Sequence, residues 1–97
     1  MSYRLKFVPA AMREWRKLAP PIQSQFKQKL AERVLEPYIP ASRLRGLDNA
    51  YKIKLRASGY RLTYQVDDAE MAIYVLSVGK REHGIVYRKA SERGSYR

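Results

Sequence analysis

The run Tyr51-Lys52-Ile53-Lys54-Leu55-Arg56 alternates apolar and cationic residues without a break, and it constrains the fold more than any other stretch of the chain. In an extended backbone successive side chains point to opposite faces. Tyr51, Ile53 and Leu55 therefore share one face, and Lys52, Lys54 and Arg56 share the other. Ser58-Gly59 follows as a two-residue hairpin turn, and a second strand runs from Tyr60 to Val66. Such a turn predicts Leu55 opposite Leu62, Ile53 opposite Tyr64 and Arg56 opposite Arg61. Lys52, Lys54, Arg56, Arg61, Thr63 and Gln65 then form one wet surface, whereas a slip by one residue would mix charge into the core.

Between Arg43 and Arg61 six basic residues face one acidic residue, Asp48, and the whole chain carries 20 Lys plus Arg against 9 Asp plus Glu, a net charge of +11 on 97 residues. Cations set side by side repel one another, so the arrangement calls for a polyanion, of which RNA is the commonest; the plainer reading is a solvated strand face. The longest nearly uncharged run, residues 71–79, is too short to span a bilayer, and no apolar segment near the N-terminus reads as a secretory signal. Cysteine is absent, which fits a reducing, cytoplasmic setting and removes disulfides, thiolate chemistry and Cys-based zinc sites. With 45% hydrophobic residues the chain has material for one modest core, and residues 1–97 read as a single domain burying roughly 60–70% of its unfolded surface.

The remaining elements follow from periodicity and breakers. Residues 3–8 alternate and stop at Pro9, predicting a short strand with Tyr3, Leu5 and Phe7 inward. Ala11, Trp15, Leu18 and Ala19 mark one face of a first helix ended by Pro20-Pro21. Ile22, Phe26, Leu30 and Val34 recur every four residues in a second helix from Pro21 to Leu35, and the two should form a hairpin lying across one face of a sheet. Residues 37–50 read as a ligand-facing connection in which Arg43 and Arg45 flank the apolar anchor Leu44. Residues 71–78 are apolar on both faces, which predicts a central strand. A short helix from Ile85 to about Arg93, ended by Gly94, completes an α+β chain.

No metal site is apparent. Asp67, Asp68 and Glu70 gather at a hairpin turn without ordered ligand spacing, and His83 stands without a second histidine or a positioned carboxylate. Any catalysis must use Lys, Arg and Tyr. Those tools suit attack of a ribose 2′-hydroxyl on the adjacent phosphate, which needs cations around the phosphate, a base for one proton and a donor for another. Arg81, at the end of the central strand, is placed to meet Arg61 and the Lys52/Lys54 row over one phosphate. Crowding of like charge favours a neutral amine, which makes Lys52 or Lys54 a candidate base. Tyr87 is a candidate to stack on a base or hold the 2′-hydroxyl, with core packing as its ordinary alternative.

The stretches Glu14-Trp15-Arg16-Lys17-Leu18, Leu44-Arg45-Gly46, Tyr51 to Arg56, Ser58-Gly59-Tyr60-Arg61-Leu62, Tyr64-Gln65-Val66 and Ser77 to Glu82 together resemble the RelE toxins of bacterial toxin–antitoxin pairs over nearly the whole chain. The resemblance implies a fold like that of small microbial ribonucleases, with two N-terminal helices on a mostly antiparallel sheet of about four strands. It also implies cleavage of messenger RNA in the ribosomal A site, beside 16S rRNA, without a cofactor. The implied catalytic positions are Lys52, Lys54, Arg61, Arg81 and Tyr87, and Arg43, Arg45, Arg56 and Lys80 are candidates for RNA contacts. A cognate antitoxin is the implied protein partner. Gyrase-inhibiting relatives share the fold but generally lack this basic set, and a non-catalytic RNA- or ribosome-binding module would need the cationic face without Tyr87 or both lysines.

Overall fold

The apolar run expected to be a central strand is one, and the other elements are arranged on it. In the computed structural model, which describes residues 2–80 and 85–94, the chain runs β1 (Arg4–Phe7), α1 (Pro9–Arg16), α2 (Pro20–Arg33), β2 (Ala50–Leu55), β3 (Tyr60–Asp67), β4 (Ala72–Lys80) and α3 (Ile85–Arg93), with a single 3-10 turn at Pro40–Ser42. The sheet order is β1-β4-β3-β2. β1 lies parallel to β4, and the other two pairings are antiparallel. This is the expected α+β architecture. Proline opens both N-terminal helices, where its missing N–H costs nothing. Gln23 caps the end of α1 by donating its side-chain amide to the Trp15 carbonyl at 2.8 Å. Among the described residues no helix is long and apolar enough to cross a membrane.

Two layers of helix sandwich the sheet. Phe26 and Leu30 of α2 are buried with Ile53, Leu62, Tyr64, Ile73, Val75 and Leu76, and Phe7, Trp15 and Phe26 form a chain of tilted rings. α3 covers the other face. The Ser77 hydroxyl donates to the Val86 carbonyl at 2.7 Å and lies 2.6 Å from the Thr63 hydroxyl. Thr63 therefore does not belong to the wet face on which alternation alone would leave it; α3 buries it completely, and its hydroxyl is satisfied by Ser77. A bulge makes this possible. Thr63 pairs with Ser77 but Tyr64 pairs with Val75, so Leu76 is an extra residue in β4. Val75 and Leu76 consequently both enter the core, and Ser77 is turned toward α3.

Two local expectations change. The β2–β3 register is displaced by two residues from the one a Ser58-Gly59 turn predicts: Leu55 pairs with Tyr60, Lys54 with Arg61 and Ile53 with Leu62. The Gly59 N–H donates to the Leu55 carbonyl across a four-residue connection, and Gly59 sits at φ +78°, a conformation glycine adopts without strain. A shift of two preserves the facing of every side chain, so the cationic surface survives while Arg56 leaves the ladder for the turn. Leu5 was expected inward but is 41% exposed, because β1 is an edge strand and Val8, just beyond it, is the residue that enters the core.

β1 covers β4 only as far as Val75, and the strand continues to Lys80. Side chains close part of the uncovered edge. The Glu14 carboxylate accepts the Val78 N–H at 3.1 Å, Lys89 at 2.9 Å and Arg93 at 3.0 Å, while Arg93 also donates to the carbonyl of the bulged Leu76 at 2.8 Å. One carboxylate thus ties α1, the open edge of β4 and α3 together. Burial alone would raise the Glu14 pKa, but the hydrogen bonds from Arg93, Lys89 and Val78 outweigh it and hold the carboxyl below its ordinary value. A folded-state pKa below the unfolded one adds stability above the usual carboxylate range, and that stability is lost as pH falls through the depressed value. Acidification should accordingly loosen α3 before the sheet. Hydrogen exchange of residues 85–93 in Glu14→Gln at neutral pH should match that of the native chain at acid pH, with β3 and β4 protected in both; equal protection of α3 in variant and native protein at neutral pH would remove the clamp from this account.

Candidate active site

The site forms where the β2–β3 pair meets α3. Lys52 and Arg61 project from the cationic face of the strands, and α3 lays Tyr87 across them. The Lys52 Nζ is 5.7 Å from the centre of the Tyr87 ring and the Arg61 guanidinium carbon is 5.6 Å from it. Arg61 Nη1 also donates to the Tyr87 hydroxyl at 3.0 Å. The hydroxyl oxygen accepts a hydrogen bond from a cation, and the hydroxyl keeps its own proton to donate. Lys54 is the direct cross-strand partner of Arg61. Lys54, Arg56, Gly59 and Arg61 line an open cleft of about 280 Å³ beside the hairpin turn. Three elements therefore place four of the expected residues in one neighbourhood. The Tyr87 ring contacts both cations and is partly exposed, and it also packs against the edge of the core.

The other expected residues are distributed more widely. Lys80, the last residue of β4, pairs with Tyr60, one step from the Arg61–Gly79 pair, and is exposed. Arg81 lies outside the described residues, as does His83. Arg43 and Arg45 are exposed around the buried Leu44, and Arg43 bridges to Tyr51, so both stand at the far end of β2 from the hairpin turn. The carboxylates of the β3–β4 turn are engaged locally. Asp68 accepts hydrogen bonds from the Tyr3 and Tyr38 hydroxyls, and Glu70 accepts one from Tyr74 and pairs with Lys6 at 3.5 Å. Those hydroxyls hold the Asp68 carboxyl below its usual range.

Arg33 was not singled out from sequence, yet it supports the site from beneath. Its guanidinium donates to the Tyr64 hydroxyl at 2.8 Å, the Lys52 carbonyl at 3.5 Å and the Ser42 hydroxyl at 3.4 Å. It also stacks over the Tyr64 ring, which in turn stacks on Tyr51. Burial raises the Tyr64 pKa, and the Arg33 hydrogen bond opposes the rise. No sequence signal marks Arg33, which ends a helix where a basic residue is ordinary. Glu14 did carry one: it is the sole acidic residue in the first 31 positions.

Two arginines of this neighbourhood should respond differently to truncation. Arg33→Ala should lower stability by about 1–3 kcal/mol, since it strips partners from a buried hydroxyl and a strand carbonyl. Arg61→Ala should cost less than about 1 kcal/mol, because its contacts are at a partly open surface. Urea denaturation of the two variants checks this, and equal losses would mean that Arg61 is a structural residue.

Comparison with known proteins agrees with this architecture. A protein-family profile described as the ParE toxin of the type II toxin-antitoxin system, parDE, matches residues 5–90. The mRNA interferase toxin RelE of Escherichia coli (strain K12) is 50% identical over 93 residues, covering 96% of this chain and 98% of that protein. The free-state structure of an arginine-to-alanine double variant of the E. coli toxin RelE superimposes with a TM-score of 0.89 at 49% identity, over 96% of this chain and 98% of that one. A chain of the intact E. coli RelBE toxin–antitoxin complex gives a TM-score of 0.82 at 50% identity, over 84% of this chain and 100% of that one. The chain belongs to the RelE/ParE superfamily of type II toxins, with the RelE toxins among its near relatives.

Proposed function

We propose that this chain is the toxin of a type II toxin–antitoxin pair and acts in the cytoplasm as an endoribonuclease on messenger RNA in the ribosomal A site. The observation that carries the reading is the contact cluster of Lys52, Arg61 and Tyr87 with Lys54 opposite Arg61. In this reading a ribose 2′-oxygen attacks the adjacent phosphorus in line. The new 2′-O–P bond forms as the P–O5′ bond breaks, leaving a 2′,3′-cyclic phosphate and a 5′-hydroxyl. One proton leaves the 2′-oxygen and one reaches the 5′-oxygen. Lys52, Lys54, Arg61 and Arg81, which directly follows Lys80, surround the phosphate as its negative charge grows. Tyr87, its ring held by two cations, offers a stacking surface and a hydroxyl at the same point. Arg43, Arg45, Arg56 and Lys80 extend the basic surface for RNA contacts. Gyrase inhibition on the same fold has no evident use for this cation and tyrosine set.

Among the described residues the cluster contains no histidine and no carboxylate; in this reading proton transfer is weakly served and alignment of the message comes from the ribosome, a contribution worth many kcal/mol. Programmed ribosomes should be cut much faster than naked RNA, with message 5′ ends mapping within the A-site codon. Arg61→Ala should slow cutting by about 10²–10³-fold with its fold retained. Equal rates on free and ribosome-bound RNA would point to a self-sufficient nuclease, and an uncut message with blocked gyrase to the other branch of the superfamily.

The antitoxin is proposed to silence the toxin partly by displacing α3. Only Val86 and Ala90 of this helix are buried, so most of its docking is polar and open to competition by an acidic, amphipathic segment. Faster hydrogen exchange of residues 85–93 in the antitoxin complex than in the free toxin is the expected result. Unchanged or slower exchange would mean that the cationic face is plugged with α3 in place.

A further inference from the structure

A second cationic cavity, of about 260 Å³, lies on the far side of β2, between that strand and α2. Lys29, Arg33, Ser42, Lys52, Lys54 and Arg56 contribute to its walls. It shares Lys54 and Arg56 with the cleft beside Arg61, so one basic path runs from the candidate active site around the edge of the sheet to α2. Lys29 and Arg33 belong to neither the catalytic cluster nor the basic surface already described.

The cavity is built for a small anion. Its floor is preorganised, because Arg33 is fixed by Tyr64, Lys52 and Ser42; with three of its five N–H donors so used, two remain for a ligand. Lys29 is exposed, one turn before Arg33 on the same helix, and among the described residues neither Lys29 nor Arg56 forms an ion pair. Five cations thus converge on a space with no carboxylate in its lining. A phosphate matches both the charge and the bidentate guanidinium geometry. A protein segment would need an apolar anchor hole, and the apolar groups here are Ala41 and Ile53, the latter only 2% exposed.

We infer that this cavity is a second RNA phosphate subsite, which grips a backbone phosphate remote from the cleaved one and orients the strand or the ribosome against the catalytic face. The inference rests on the proposed action on ribosome-bound message. Its contribution is to binding and register, so it should appear in affinity and KM and leave kcat unchanged.

Lys29 is the residue to alter, since it is exposed and among the described residues makes no hydrogen bond or ion pair. The affinity of full-length Lys29→Gln for programmed ribosomes, measured by co-sedimentation between 50 and 200 mM salt, should show a log–log salt slope smaller by about one, that is, about three- to fourfold less weakening over this range than the native chain shows. KM for cleavage should rise by a similar factor at low salt with kcat unchanged, Lys29→Arg should restore both, and Lys29→Glu should be worse. Two RNA sources are then separable. A penalty that vanishes on messages ending just beyond the cut codon assigns the phosphate to the message, and one that persists on every message assigns it to ribosomal RNA. An unchanged slope and KM would overturn the inference, as would an unchanged slope with weakened antitoxin binding, which would make the cavity a protein-docking surface. Should the native toxin fail to cut at all, the catalytic reading falls, and the co-sedimentation slope still decides the subsite.

Discussion

The Glu14 carboxylate decides where the working parts of this protein stand. It takes one backbone N–H from the uncovered part of β4 and two cations from α3, so a helix with only two buried apolar side chains is held at a defined place on the sheet. Burying Val86 and Ala90 is worth only about 2–4 kcal/mol, a modest return for ordering nine residues. Polar contacts must supply the rest. Arg93 completes them by satisfying the carbonyl of Leu76, a residue that is extra in β4 because of the bulge. The same bulge turns Ser77 to α3, where it meets the Val86 carbonyl. Tyr87 is one residue further along, and its position over Lys52 and Arg61 is therefore a consequence of how β4 ends.

The alternation in residues 51–56 and 60–66 carried the sheet pair and its cationic face, because side-chain facing depends only on parity. Register was less legible. Ser58-Gly59 has the composition of a two-residue turn, but the Gly59 N–H finds the Leu55 carbonyl and closes a four-residue one, and nothing local distinguishes the two. Thr63 and Leu5 show the other limit. Whether a residue on a given face meets water depends on which element covers it, and that is set by tertiary packing. Lys52, Lys54, Arg61 and Tyr87 could be singled out because strand alternation and the resemblance to RelE toxins converged on them. Arg33 could not, since its role arises from contacts to Lys52 and Tyr64, far away in sequence.

Cation crowding has a cost that the fold offsets in particular ways. Lys52 and Arg61 both lie close over the Tyr87 ring, whose quadrupole attracts them. Arg33 is fixed by hydrogen bonds to the Tyr64 and Ser42 hydroxyls. Lys89 and Arg93 both pair with the Glu14 carboxylate, which offsets one of their two charges. Among the described residues the Glu14 carboxylate thus anchors a helix, and no carboxylate hydrogen-bonds or pairs with Lys52 or Arg61 on the surface that faces RNA in the proposed function. Asp68 and Glu70 stand at the β3–β4 turn, at the opposite end of β3 from Arg61, and are bonded there to Tyr3, Tyr38 and Tyr74.

A site assembled this way can be dismantled without unfolding the protein. Most of the core, including Phe26, Leu30, Ile53, Leu62 and Tyr64, comes from α2 and the sheet, and α3 adds Ala90 to it. Lys52, Lys54 and Arg61 would stay on the sheet if α3 left, whereas Tyr87 would go with it. Loss of the helix would take away the aromatic surface and expose Thr63 and Ser77, two hydroxyls that water can satisfy. The exposed pair costs little because it is polar, and the Leu76 carbonyl released by Arg93 would be open to hydrogen bonding by another chain, while Glu14 of α1 still holds the Val78 N–H. In the proposed function the sheet then binds RNA and a detachable α3 completes the site, so a partner that displaces Lys89 and Arg93 from Glu14 and the Leu76 carbonyl would need no access to the cationic face to remove Tyr87.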